Sequence, residues 1–242
     1  MKKVMASALF FLLLWHGIAV LTDSFFLPTP LEVVEAGIKM VGKISSASIA
    51  TLGRIMVAFT VAASLGIPIG LILGKAERIY RNIEPCIDFL RSIPATALFP
   101  LFMIIFGIGD LSKMIVAGFG AALIIIFNTA AGVMNSGKTR AAAAKIHGAS
   151  QWQIFREVTF WESLPQTFVG LRIAISLTVA IIIVTEMFIG TNVGIGRMII
   201  DAQVVFNIPG MFALLFVAGI IGYLCNYVLL RIEKRVVHWT AK

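Results

Sequence analysis

The sequence predicts an all-α protein that crosses a membrane several times, and three observations carry that prediction. The first is composition. Of 242 residues, 59% are hydrophobic and 13% charged, with a mean hydropathy of +0.97; a soluble domain is nearer half apolar and about a quarter charged. The second is run length. Several stretches of about twenty residues carry almost no charge, which is what a helix needs to cross a hydrocarbon core of about 30 Å. The third is where the basic residues fall. A net charge of +8 and a pI near 9.8 could indicate a nucleic-acid partner, but the lysines and arginines sit mostly in the gaps between apolar runs, as the positive-inside rule expects. A nucleic-acid role is excluded on that ground.

Six spans follow, at 4–22, 51–74, 87–108, 112–134, 166–190 and 209–231, within one transmembrane domain covering 1–242. Met1-Lys2-Lys3 and the apolar run after it resemble a signal peptide. That run is longer than a usual signal core and lacks a small-residue cleavage site, so it is read as a retained first helix. Leu27-Pro28-Thr29-Pro30 is a stiff extended stretch, because each proline pushes its predecessor out of helical geometry. Residues 31–50 then form a partly amphipathic helix lying at a surface.

The loops set the orientation. Lys2 and Lys3, then Lys75, Arg78 and Arg81, then Lys138, Arg140, Lys145 and Arg156, then Arg231, Lys234, Arg235 and Lys242 all fall on one side of a six-span chain. The opposite loops and their margins hold Lys39, Lys43, Arg54, Lys113 and Arg197. Both termini are therefore expected in the cytoplasm.

Small side chains at a spacing of four (Gly66, Gly70 and Gly74) let the second span approach a neighbour closely, and Pro68 between them offers a hinge. Asp88 and Arg91, one turn apart, have the spacing of a helix salt bridge. Cys86 and Cys225 have no ligand spacing and no mate. His16, His147 and His238 are scattered and form no metal set.

The 135–165 loop is the informative one. Thr139 to Lys145 is mostly strong helix formers, Gly148 supplies a break, and Ser150-Gln151-Trp152-Gln153 reads as a capping box. The helix that follows carries Trp152, Phe155 and Val158 on one side. Two readings of this helix–Gly–helix element stand on its residues alone. One is docking on a cytosolic partner; the other is lying on the membrane surface, as basic amphipathic helices do.

The stretch from Ala142 through Gly148 and Val158 to Pro165 resembles the cytoplasmic EAA loop of ABC importer permeases. That pattern is Glu-Ala-Ala, three residues, Gly, nine residues, an aliphatic residue, one residue, then Leu-Pro. Ala143, Ala144, Gly148 and Val158 match; Ala142, Phe160 and Trp161 stand where Glu, Leu and Pro are usual. The resemblance extends to Thr51-Leu52-Gly53-Arg54, Gly66 to Gly70, Ile93-Pro94, Phe99-Pro100-Leu101, Phe106 to Gly109, Asn128-Thr129, Gly132, Gly170 to Ala174, Glu186-Met187 and Gly194 to Gly196. It is closest to the branch that imports sulfonates, taurine, nitrate, bicarbonate or thiamine-precursor pyrimidines.

The resemblance implies a type I importer-like bundle working as a homodimer in a bacterial inner membrane. It also implies two cytosolic ATPase subunits and a periplasmic or lipid-anchored solute-binding protein. The docking loop would comprise Ala142, Ala143, Lys145, His147, Gly148, Ala149, Ser150, Trp152 and Phe155. ATP and magnesium would be bound by the ATPase, with no cofactor in this chain, which lacks a phosphate-binding Gly-Lys-Ser/Thr loop and is expected not to be an enzyme. The absent Glu removes one polar contact near the coupling element, and the absent Pro lets helix run on past Trp161.

Glu186 lies in the outer part of the fifth apolar run. A charge at the bilayer centre costs about 2.5–3.5 kcal/mol on insertion scales, so it faces protein or water. It either packs by hydrogen bonding, to Asn128 or Thr129, or lines the translocation pathway with them. Asn128 and Thr129 themselves also read as interhelical glue. Arg172 anchors the fifth span at the interface or pairs with Glu157 or Glu162. The runner-up function is an ion-coupled secondary transporter using Glu186, although the internal repeat usual in such carriers is not visible. A membrane-embedded enzyme would need acidic or histidine clusters that are missing.

Overall fold

The computed structural model describes residues 2–188 and 190–239, and every regular element among them is helical. Helix α1 spans Lys2–Thr22. Helix α2, Pro30–Lys39, starts on a capping box: Thr29 Oγ1 accepts from the Glu32 N–H, while the Glu32 carboxylate accepts from the Thr29 N–H at 2.8 Å. The surface helix expected over 31–50 is thus shorter, and its second half belongs to the next element. Helix α3 runs unbroken over 35 residues, Val41–Lys75. Ser45 and Ser46 turn their hydroxyls back onto the carbonyls of Val41 and Lys43 at 2.8 and 2.9 Å and stay helical. Pro68 sits inside this helix without breaking it.

The third expected span is not one straight helix over 87–108. Helix α4, Glu77–Ser92, is followed by an extended Ile93, a 3-10 turn at Ala95–Leu98 and helix α5, Phe99–Phe106, with a bend of 79°. Pro94 is the cause, since it forces Ile93 out of helical geometry. The bent pair still links opposite ends of its neighbour α6, Asp110–Met134. Tyr80 of α4 packs beside Ala130 and Met134, whereas α5 ends at a short glycine-containing link into Asp110.

Helix α7, Lys138–Ile146, and α8, Gln151–Ile154, flank Gly148. A π-helical turn at Phe155–Thr159 joins α8 to α9, Phe160–Glu186, so helix continues from Gln151 to Glu186, through the position where Trp161 replaces the expected proline. The fifth span ends at Glu186 rather than 190. A short helix not foreseen, α10 at Ile195–Val204, precedes α11, Ile208–Val236.

Among the described residues four helices are long and apolar enough to cross a membrane, five if the bent pair counts as one span. The apolar part of α1, Ala6–Thr22, is shorter. The core is the α3–α6–α9 contact, where Ile55, Ala62, Ala117, Ile125, Ala174 and Ile182 are buried. Small residues set its closeness: a Cβ added at Gly70 or Gly74 would lie 2.6 Å from the Cβ of Thr129 or Val133 on α6.

Candidate functional site

The polar residues collect at the two ends of the bundle. At the Glu186 end, α9 delivers a carboxylate with no exposed surface. Thr51 of α3 donates its hydroxyl to that carboxylate at 2.9 Å, Arg54 one turn further donates Nη1 at 2.6 Å, and the Gly196 N–H of α10 donates at 3.0 Å. Arg54 also donates to the Val193 carbonyl at 2.8 Å, and its Nε lies 2.9 Å from Asp110 at the start of α6. Lys113, fully buried, is 3.2 Å from the same Asp110 and donates to the Gly190 carbonyl at 3.0 Å. Two cations and two anions therefore tie α3, α6, α9, α10 and the α9–α10 link into one neutral cluster. A buried pair of this kind is costly to break because removing one member strands the other. Glycine completes it: a Cβ at Gly194 would lie 2.5 Å from the Glu186 Cδ.

Glu186 is thus interior and hydrogen-bonded, but not to Asn128 or Thr129. Those residues lie 18 positions along α6 from Asp110 (128 − 110), about 27 Å at 1.5 Å per residue. Asn128 accepts from Gln166 of α9 at 3.1 Å and donates to the Ile124 carbonyl, so it does join two helices. The Thr129 hydroxyl has no partner among the described residues; the residue packs its carbon atoms against Gly70. The three residues grouped as a pathway do not meet. Arg172 pairs with neither Glu157 nor Glu162 but lies 3.6 Å from Glu233 on α11.

At the opposite end, the 135–165 segment forms a helical hairpin. The expected capping box is present: the Gln153 N–H donates to Ser150 Oγ, and the Ser150 N–H donates to the Gln153 side chain at 2.8 Å. Gly148 has φ of 82° and nothing within 4 Å of an added Cβ. Ala142, Ala143, Lys145, His147, Gly148, Ser150 and Trp152 are exposed; Ala149 and Phe155 are half-buried. Ile146 is 84% exposed and Trp152 64%, an uncovered apolar edge on a polar hairpin. The hairpin is anchored rather than loose. Glu162 of α9 accepts from the Gly137 N–H and, at 2.6 Å, from Arg140, while Lys75 sits 5.2 Å from the centroid of the Phe155 ring, on which Trp152 stacks. Trp161 packs edge-on against Trp239 of the C-terminal segment.

The sequence reading missed Arg54 as the partner of Glu186 and Asp110 and Lys113 as the rest of its cluster, and Glu162 as the anchor of α7. The signal for the first group was available: Arg54 and Glu186 are opposite charges inside two apolar runs, and such charges pair. No local pattern marks Glu162.

Residues 66–242 match the family of binding-protein-dependent transport system inner membrane components. The chain belongs to this family. It is 29% identical over 237 residues to the taurine transport system permease protein TauC of Escherichia coli, covering 94% of this chain and 86% of that protein. It is 28% identical to the formylaminopyrimidine transport permease protein ThiX of Halalkalibacterium halodurans, over 99% of this chain and 98% of the relative. The nitrate import permease protein NrtB of Synechocystis is 31% identical, over 78% and 68%. The fold matches a chain in the inward-facing structures of the MetNI methionine ABC transporter, with a TM-score of 0.70 at 22% identity, covering 82% of this chain and 98% of that one. The permease is therefore a multi-pass inner-membrane subunit of an ABC importer for a small solute, a transport component and not an enzyme.

Proposed function

We propose that this permease forms the pathway of an ATP-driven importer for a small oxyanion or a thiamine-precursor pyrimidine, delivered by a solute-binding protein. It pairs with a second copy of itself and seats each copy's 138–155 hairpin in one of two ATPase subunits. Both termini and that hairpin lie in the cytoplasm, and the Glu186 cluster lies at the outer end. ATP and magnesium stay on the ATPase. The relatives named for taurine, nitrate and formylaminopyrimidine support this substrate class.

The observation that carries the reading is the hairpin itself. It leaves Ile146 and Trp152 uncovered, yet Glu162 and Lys75 fix it to the start of α9 and the end of α3. An apolar edge on a fixed support suits force transmission better than lying loosely on a membrane. The ion-coupled alternative needs a carboxylate that exchanges with water. Glu186 has no exposed surface and accepts from three donor groups.

The test is pairwise cysteine cross-linking in a Cys86→Ser, Cys225→Ser background. Ala143→Cys or Trp152→Cys should cross-link to cysteines in the partner ATPase, more efficiently with trapped ATP. Cross-links confined to lipid-facing reagents, with none to the ATPase, would refute the docking role.

A further inference from the structure

Glu77, Arg81, Glu84, Asp88 and Arg91 recur along α4 at alternating spacings of four and three, which sets them on one face of the helix. The opposite face carries Ile79, Ile83 and Leu90, exposed and apolar. Between the two faces, Tyr80 and Ile87 are buried against α6. Among the described residues the charged face is largely open: Glu77, Arg81, Asp88 and Arg91 are exposed and Glu84 half-buried, with ion pairs along the face itself at 2.6 Å (Arg81–Glu77) and 3.2 Å (Arg91–Asp88).

The helix climbs into the bundle instead of lying across its end. Tyr80 packs near Met134, the Arg91 guanidinium lies 4.1 Å from the centroid of the Phe127 ring, and a Cβ at Gly120 would lie 3.3 Å from the Ala95 Cβ. Counted back along α6 from Met134, Phe127 is about 10 Å and Gly120 about 21 Å inward. At the inner end of the charged face a cavity of about 650 Å³ opens, lined by Asp88, Arg91, Ser92, Ala95, Gly120 and Leu177 among others. Charges at that depth are unfavourable against acyl chains and settle against water or protein.

We infer that the charged face of α4 is the wall of a water-filled vestibule entered from the hairpin end, and that Arg91 is the cation that holds the solute's anionic group there. This rests on the importer reading above. The apolar face, on the far side, is the one turned to lipid. Asp88 holds the guanidinium at the cavity rim, and the Ile93–Pro94 break lets the chain turn away and leave the cavity open.

The test uses the assembled complex in inside-out vesicles, in the same cysteine-free background, with Ser92→Cys as reporter. A membrane-impermeant, negatively charged methanethiosulfonate should label it from the hairpin side, and faster than its positively charged analogue. Adding Arg91→Gln should reverse that preference. In proteoliposomes supplied with the solute-binding protein outside and ATP within, uptake of nitrate or taurine should show KM raised about tenfold by Arg91→Gln, the loss of one charge-assisted contact, with Arg91→Lys between it and the parent. Absence of labelling means that lipid or the second copy covers this face and overturns the vestibule. Labelling whose charge preference ignores Arg91→Gln, or a KM that does not move, overturns the role of Arg91. If the parent transports neither solute, the substrate reading fails, while the labelling decides the vestibule independently.

Discussion

The two ends of this bundle are built on opposite rules. At the Glu186 end the buried charges are paired inside the chain, and the backbone of the α9–α10 link is held by Arg54 and Lys113. At the hairpin end the polar and apolar groups that matter are exposed, and only the hairpin's base is fixed. A transporter that rocks needs both: a part that moves as one body and a part that receives the push. The difference teaches that a charge within an apolar run is a poor guide to the pathway by itself. Here the most buried carboxylate ties helices together, and the exposed charges within the apolar region lie on the amphipathic α4.

The contrast predicts a ranking of substitutions. Glu186→Leu leaves two cations to share Asp110 in the cluster, one positive charge uncompensated, and should cost about 3–5 kcal/mol, read as loss of folded protein from the membrane. Glu186→Gln should lose less, because the amide keeps the shape and can still accept from Thr51 and Gly196. Equal accumulation of all three proteins would break the clamp reading. Next, Gly74→Val drives a branched side chain into Val133 and Ala130; overpacking of this kind costs about 1–3 kcal/mol and should lower the melting temperature of the detergent-solubilised protein. At the hairpin end the effects on stability should be small. Ser150→Ala removes one cap and should cost about 1 kcal/mol or less of local helix stability, seen as faster amide exchange confined to 150–154. If that exchange spreads into α9, the hairpin is part of the core and the contrast is blurred.

Much of the bundle was legible because its signals are local. Apolar run length marked α3, α6, α9 and α11, and Ser150 with Gln153 marked the start of α8. The small-residue stripe marked the face on which α3 meets α6. What was missed is non-local or depends on a single backbone angle. Pro94 was visible, but a straight span and a bent pair have the same hydropathy, so the 79° turn was not. The start of α3 was misplaced because the apolar run begins only near 51, whereas the helix itself already begins at Val41, in the partly amphipathic stretch before it. Glu186 was rightly placed in the interior on insertion cost, yet its side-chain partners lie 132 to 135 residues away in sequence, and pairing it with Asn128 ignored how far apart they sit along their helices. Arg91 and Asp88 were recognised as a pair at helix spacing, while the stripe they terminate emerges only when all of α4 is taken together.

The central claim is that the 138–155 hairpin delivers the ATPase's movement to the bundle, and Gly148 is the place to test it. With φ of 82° and open space around it, a β-branched residue there meets no clash and disturbs only the backbone geometry that sets α7 against α8. The direct measurement is solute taken up per ATP hydrolysed by the reconstituted complex carrying Gly148→Val, with Gly148→Asn as the control that tolerates the left-handed conformation. The expected result is normal insertion and continuing ATP hydrolysis, with uptake reduced at least tenfold for Val and near the parent value for Asn. Uptake per ATP unchanged in the Val variant would contradict the account.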